Sequence, residues 1–72
     1  MEKDLENIKF GKRIVAIRHA QGLSQEALSL RCNINRTYMG ELERGEKSPS
    51  LVTIAKIAKG LDITKHQLFD YE

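Results

Sequence analysis

The sequence predicts an all-α fold, a compact domain of five short helices, on three observations. Aromatic and β-branched residues nowhere alternate with polar ones over the length of a strand, so the period-two pattern is missing. Apolar residues recur instead at three- and four-residue spacing, as in Leu51, Ile54, Ile57, Ala58 and Leu61. Between the apolar stretches stand residues that stop and start helices: Gly22, Ser24, Asn33, Asn35, Gly45, Ser48-Pro49 and Thr64.

Taken in order, the first helix is expected from about Leu5 to Gln21. Its apolar stripe is Phe10, Ile14 and Ile17, with Leu5 and Ile8 upstream, and Gly22 ends it. Ser24 is a good N-cap for a second helix to about Cys32, and Glu26 in its first turn suits the positive helix end. Asn33 tolerates the left-handed conformation that closes a helix. Asn35 then caps a third helix to about Arg44, which Gly45 ends. Ser48-Pro49 is expected to open the fourth, with Pro at its first helical position. Thr64 and Gln67 have capping-box spacing for a last short helix through Leu68 and Phe69.

Bulk properties exclude more than they assign. The 72 residues fit one domain, 1–72, whose core supplies only about 3–5 kcal/mol of net stability. A single cysteine permits no internal disulfide, and Cys32, His19 and His66 have no close ligand spacing, so neither a metal site nor a cofactor is expected. Cys32 reads as a small core filler. No apolar run is long enough to cross a membrane, and the charged start "MEKDLENIK" has no secretory character, so a cytoplasmic protein is expected. No nucleophile–base set, phosphate-cradling glycine loop or paired carboxylates point to an enzyme, and no small-molecule ligand is indicated. A net charge of +2 does not by itself mark a nucleic-acid binder.

The informative stretch is "CNINRTYMGELERGEKSP", residues 32–49. Only Asn33, Ile34 and Asn35 join helices two and three. A link that short prevents the helices from lying side by side and sets them at a steep angle, the helix-turn-helix geometry. Ala27, Leu28 and Cys32 can then meet Ile34, Met39 and Leu42. Arg36, Thr37, Gly40, Glu41 and Arg44 are left on the outer side, and Tyr38 falls between the two faces, able to serve either. The outer face offers hydrogen-bonding groups rather than an apolar stripe. Arg can bond both acceptors of a guanine edge, Thr can contact a thymine methyl, and Glu can accept from cytosine. Glu41 has a second reading as the i,i+3 partner of Arg44. Lys47 and Ser48, in the following loop, are placed to touch phosphates.

The run "LSQEALSLRCNINRTYMGELERGEKSPSLVTIAKIAKGLDI" resembles the Cro/repressor-type (XRE-like) helix-turn-helix family of phage and bacterial DNA-binding regulators. The likeness rests on Leu23-Ser24-Gln25, Leu42-Glu43-Arg44-Gly45 and Pro49-Ser50-Leu51 and covers roughly residues 10–69. Size and the "NRTY" start of helix three are further similar to restriction–modification controller proteins. The resemblance implies a lambda-repressor-like fold and a helix-turn-helix at about 24–44. It implies binding to double-stranded DNA through Arg36, Thr37, Tyr38 and Glu41, with Gln25 on a backbone phosphate; Asn35, Arg44, Lys47 and Ser48 are expected contacts from their own places on helix three and its loop. Asn33 departs from the family's usual Gly, and Gly40 costs its helix about 1 kcal/mol against Ala.

Two further expectations concern architecture. Ile63, Leu68, Phe69 and Tyr71 offer more apolar surface than a last short helix needs, so residues 61–72 are expected to form a homodimer interface serving a near-palindromic operator. Arg18 borders the apolar stripe of helix one and Glu43 the inner face of helix three. Charges so placed need partners, so a partly buried Arg18–Glu43 pair is expected, in agreement with the resemblance. The competing reading is an antitoxin-like protein-interaction module on the same fold, since fold does not fix function.

Overall fold

The computed structural model describes residues 4–71; residues 1–3 and 72 of the expected 1–72 span lie outside them. The chain is all-α, in the order α1 (Leu5–Ala20), α2 (Gln25–Cys32), α3 (Arg36–Glu43), α4 (Leu51–Gly60) and α5 (Lys65–Leu68).

Each helix starts on a short polar side chain. Asp4, Ser24, Asn35, Ser50 and Thr64 each accept a hydrogen bond from a backbone N–H in the first turn of their helix. Such a cap is worth about 1 kcal/mol. The expected capping box is present, with Thr64 and Gln67 bonding each other's backbone N–H at 3.0 and 2.9 Å.

The fourth start differs from expectation. Ser48-Pro49 does not open α4. Ser50 does, its hydroxyl accepting from Thr53 N at 3.1 Å, and Pro49 lies outside the helix. The reason is that Ser48 is committed elsewhere: its hydroxyl bonds the side-chain amide of Asn7, 41 residues away, at 2.9–3.1 Å.

Four helices end in the same way. The chain passes through a positive φ at Gly22, Asn33, Gly45 and Asp62. In each case the N–H of that residue and of the one after it fold back onto the last turn, as Gly45 N to Leu42 O (3.1 Å) and Glu46 N to Glu41 O (2.9 Å). This Schellman-type closure satisfies otherwise orphan carbonyls and reverses the chain within two residues. It is why five helices fit into 31 × 26 × 22 Å.

Phe10, Ile14, Leu28, Cys32, Met39, Leu42, Ile57, Ala58, Leu61 and Leu68 form the core, drawn from all five helices. Ile34 of the turn packs against it. Two glycines let backbones touch. A Cβ at Gly11 would fall on the carbonyls of Leu42 and Glu43, so α1 crosses directly against α3. A Cβ at Gly60 would collide with Cys32, which ties α4 to α2. Cys32 is accordingly a buried filler, and burial pushes its thiol pKa up to about 11. No helix is long and apolar enough to cross a membrane, and no cluster of three metal-ligating side chains occurs among the described residues.

Leu68 is fully buried, so it supplies core rather than surface. Around it, Ile63 is half-buried, and Phe69 is 43% exposed because one face of its ring stacks on Phe10 at 5.3 Å. The C-terminal end therefore offers less apolar surface than its sequence suggests. The most exposed large apolar side chains are elsewhere: Leu51 at 84% and Leu30 at 78%, with Val52 beside Leu51 at 65%.

Candidate nucleic-acid interface

Helix α3 has one side in the core and one in solvent. Met39 and Leu42 are fully buried, while Arg36, Thr37 and Arg44 are exposed. The two sides follow from the 3.6-residue period, and the short turn fixes which side faces outward.

The inner side is held by charge as well as by apolar packing. Arg18 of α1 donates twice to Glu43, from Nε to Oε2 at 2.8 Å and from Nη2 to Oε1 at 3.0 Å. The side chains retain only 11% and 6% exposure. Arg18 Nη1 also reaches the Leu23 carbonyl at 3.0 Å, and Gln25 Nε2 donates to Glu43 Oε1 at 2.9 Å. The Glu43 carboxylate thus joins α1, α2 and α3, and the Arg18 guanidinium ties in the α1–α2 turn. A planar fork on a carboxylate fixes angle as well as distance. The network sets the tilt of α3 against the rest of the molecule.

Gln25, Arg36, Thr37, Gly40 and Arg44 surround an open notch of about 290 Å³ between the start of α2 and the outer side of α3. Its floor is the bare backbone of Gly40. A Cβ there would lie 3.0 Å from Arg44 Nη1 and 3.7 Å from Gln25 Oε1, so the absent side chain leaves room for both neighbours. Gln25 binds Glu43 with one amide hydrogen and keeps the other. The notch is rimmed by two guanidiniums, an amide and a hydroxyl. That set can hold an oxyanion or the edge of a base.

The remaining expected contact residues divide. Asn35 is the α3 N-cap, its Oδ1 accepting from Tyr38 N at 3.1 Å, so its side-chain amide nitrogen is what it can offer a ligand. Tyr38 is half-buried against the core, with its hydroxyl 3.5 Å from Thr53 Oγ1. Lys47 is exposed in the loop after α3. Ser48, bonded to Asn7, braces that loop against the start of α1.

Arg44 does not take Glu41 as its bonded partner. It donates to Glu46 instead, from Nε at 2.8 Å and from Nη2 at 3.2 Å. That bond, and then the charges of Glu46 and Glu41, raise the guanidinium's pKa above its ordinary value. Arg36 faces Glu26 of α2 at 3.9 Å, with both side chains about two-thirds exposed. Sequence reasoning missed Glu46 and Glu26 as partners of the outer arginines. For Glu46 a signal was present: the left-handed turn at Gly45 folds residue 46 back toward the last turn of α3.

Comparison with known proteins agrees with this geometry. A family model described as helix-turn-helix matches residues 14–68. The chain is 38% identical to the control protein C.BamHI of Bacillus amyloliquefaciens, over 86% of this chain and 78% of that one. It is equally similar to the control protein C.MunI of a Mycoplasma species, at 38% over 86% of this chain and 85% of the relative. The crystal structure of the restriction-modification controller protein C.AhdI from Aeromonas hydrophila superimposes with a TM-score of 0.89 and 44% identity, covering 92% of this chain and all of that one.

Proposed function

The chain belongs to the helix-turn-helix family, several of whose members similar to it are named transcriptional regulators, and from that premise we propose that it binds double-stranded DNA sequence-specifically as a homodimer on a near-palindromic operator. Its relatives named control proteins support a narrower reading, that the operator belongs to a restriction–modification system.

The observation that carries the proposal is the hydrogen-bonding notch on the outer side of α3. Arg36, Thr37 and Arg44 stand on the outer side of a helix whose inner side is locked to α1, so the helix can enter a major groove without moving, and Arg44 has only to exchange Glu46 for its ligand. In this reading Arg36 bonds a guanine edge, Thr37 and Tyr38 touch neighbouring bases or sugar, and Glu41 accepts from cytosine. Gln25, Asn35, Arg44 and Lys47 hold phosphates that set the register. Ser48 supports the loop that carries Lys47. No step is catalytic, and no cofactor takes part.

One such unit is weakly charged. Arg31, Arg36, Arg44 and Lys47 are set against Glu41, Glu43 and Glu46, and Glu43 is already consumed by Arg18. Two linked units multiply modest affinities, which is what a dimer supplies. The second copy is proposed to seat on exposed apolar surface at the start of α4, Leu51 and Val52, and on the C-terminal end, where Phe69 is 43% exposed and Ile63 and Tyr71 are half-buried. A twofold dimer then presents two α3 helices to major grooves about 34 Å apart.

The test is a gel-shift series across salt concentrations. Specific binding that weakens steeply with salt, by a log–log slope of about −0.9 per phosphate contact, is expected. Binding insensitive to salt, or none at low salt, contradicts the proposal.

A further inference from the structure

We propose that Glu46 is an affinity-setting residue: its carboxylate occupies the Arg44 fork that a DNA phosphate would otherwise take and so lowers the protein's hold on every duplex, whatever its sequence. The inference rests on the DNA-binding reading above and deepens it.

Three observations carry it. First, Arg44 lines the notch, so its guanidinium lies where a ligand of that notch would lie. Second, the guanidinium is bridged by both oxygens of Glu46, at 2.8 and 3.2 Å, leaving Nη1 over Gly40. A carboxylate and a phosphate offer the same pair of acceptors to a planar fork, so the two compete for one geometry. Third, the pair is built by the backbone rather than met by chance. The Gly45 turn and the Glu46 N–H bond to Glu41 O place residue 46 beside the last turn of α3. The lack of a Cβ at Gly40 then leaves the space in which the arm lies.

Charge at this rim acts on the phosphate backbone, which carries no base information. Glu46 therefore scales affinity uniformly, while discrimination between sequences stays with Arg36 and Thr37. Both side chains of the pair are partly exposed, 56% for Arg44 and 38% for Glu46, so the bridge is weak enough to exchange.

The experiment compares wild type, Glu46→Gln and Asp62→Asn on a selected operator duplex and on a random-sequence duplex of about two helical turns. Glu46→Gln keeps the side chain's size and removes its charge. Asp62→Asn makes the same change of charge just past the C-terminal end of α4, where Leu61 O accepts from Gln21 of the α1 end and Gly60 meets Cys32 at the end of α2, away from the notch. Asn also tolerates the positive φ at that position. Glu46→Gln is expected to tighten both duplexes alike, roughly two- to five-fold per protomer. Its salt slope should steepen by up to about 0.9 per protomer. Asp62→Asn should leave both unchanged at physiological salt, where charges are screened beyond about 8 Å.

If Glu46→Gln binds as wild type does, or only as much more tightly as Asp62→Asn, the inference falls while the DNA-binding reading stands. If Glu46→Gln binds more weakly, Glu46 orients Arg44 productively and the inference is overturned. If wild type binds neither duplex at low salt, the reading beneath it fails and takes the inference with it. In the free protein, the Arg44 Nε–H resonance supplies an independent check. It should be protected from solvent exchange in wild type and lose that protection in Glu46→Ala, which has no acceptor; equal exchange in both would show that the bridge does not form.

Discussion

The two sides of α3 use the same chemical pair for opposite purposes. On the inner side a guanidinium and a carboxylate, Arg18 and Glu43, meet at 2.8 Å with about a tenth or less of each side chain exposed. On the outer side Arg44 and Glu46 meet at the same 2.8 Å with about half exposed. Distance alone does not separate them. What differs is water. The inner pair cannot be re-solvated if one member is lost, so it behaves as a fixed joint. The outer pair trades its partner for water or a phosphate at small cost, so it behaves as an adjustable contact.

The largest expected effect breaks the inner joint. Glu43→Gln leaves Arg18 nearly buried without its counter-charge, and Arg18→Met does the converse. Each should cost about 3–5 kcal/mol if the pair behaves as fully buried, enough to unfold most of a chain this small near body temperature. Thermal unfolding followed by circular dichroism reads this directly. An unchanged melting temperature for both variants would mean that the joint holds nothing. Replacing both residues together by Met and Leu should be tolerated far better, since it leaves no unpaired charge.

The next effect concerns assembly. Leu51→Glu with Val52→Glu changes two side chains already in water, so the monomer should melt normally. The dimer should lose about 2 kcal/mol or more, as for a central interface residue. Sedimentation at several concentrations checks it, and a variant that remains dimeric places the interface elsewhere. Smaller again is Ser50→Ala, which removes the α4 cap and should cost about 1 kcal/mol in the same melting assay. Smallest is Glu46→Gln, whose effect on melting should stay below about 1 kcal/mol although its effect on DNA binding is measurable. A large loss of stability there would erase the distinction between the two sides of α3.

Raised thiol pKa at Cys32 sharpens the contrast between interior and surface. Its folded value of about 11 lies above the ordinary 9.0, so the folded state holds the proton more tightly. The contribution is fully present below pH 9 and is lost as pH rises toward 11. Below pH 9 the native thiol should resist alkylation, and labelling at the unfolded rate would show that it is not buried.

Much of this arrangement was legible in the sequence because its signals are local. The caps at Ser24, Asn35 and Thr64 and the stops at Gly22, Asn33 and Gly45 act within one turn of themselves, so reading them in order gives three of the five helix starts and the kinked pair. The misreading at Ser48-Pro49 has a non-local cause. Ser48 is drawn to Asn7 on α1, and no local rule reveals a partner 41 residues away. Leu68 was misplaced for a similar reason. Its sequence neighbours are polar or exposed, and only the packing of α5 on α4 makes it core. The inner pair could be anticipated because two charges beside apolar stripes require each other. The outer pair could not be anticipated from helix spacing, because Glu46 lies beyond the helix and reaches Arg44 through a turn.

In the proposed function the outer side of α3 reads bases while the inner side only positions it. Selection of bound duplexes from a random pool, run on wild type and on Arg36→Ala, tests this most directly. Arg36→Ala should keep the half-site spacing and lose preference at one base pair in each half-site, weakening binding by about 1–3 kcal/mol per site. An unchanged base preference, with only a shallower salt slope, would make Arg36 a phosphate contact and contradict the assignment of base reading to the start of α3.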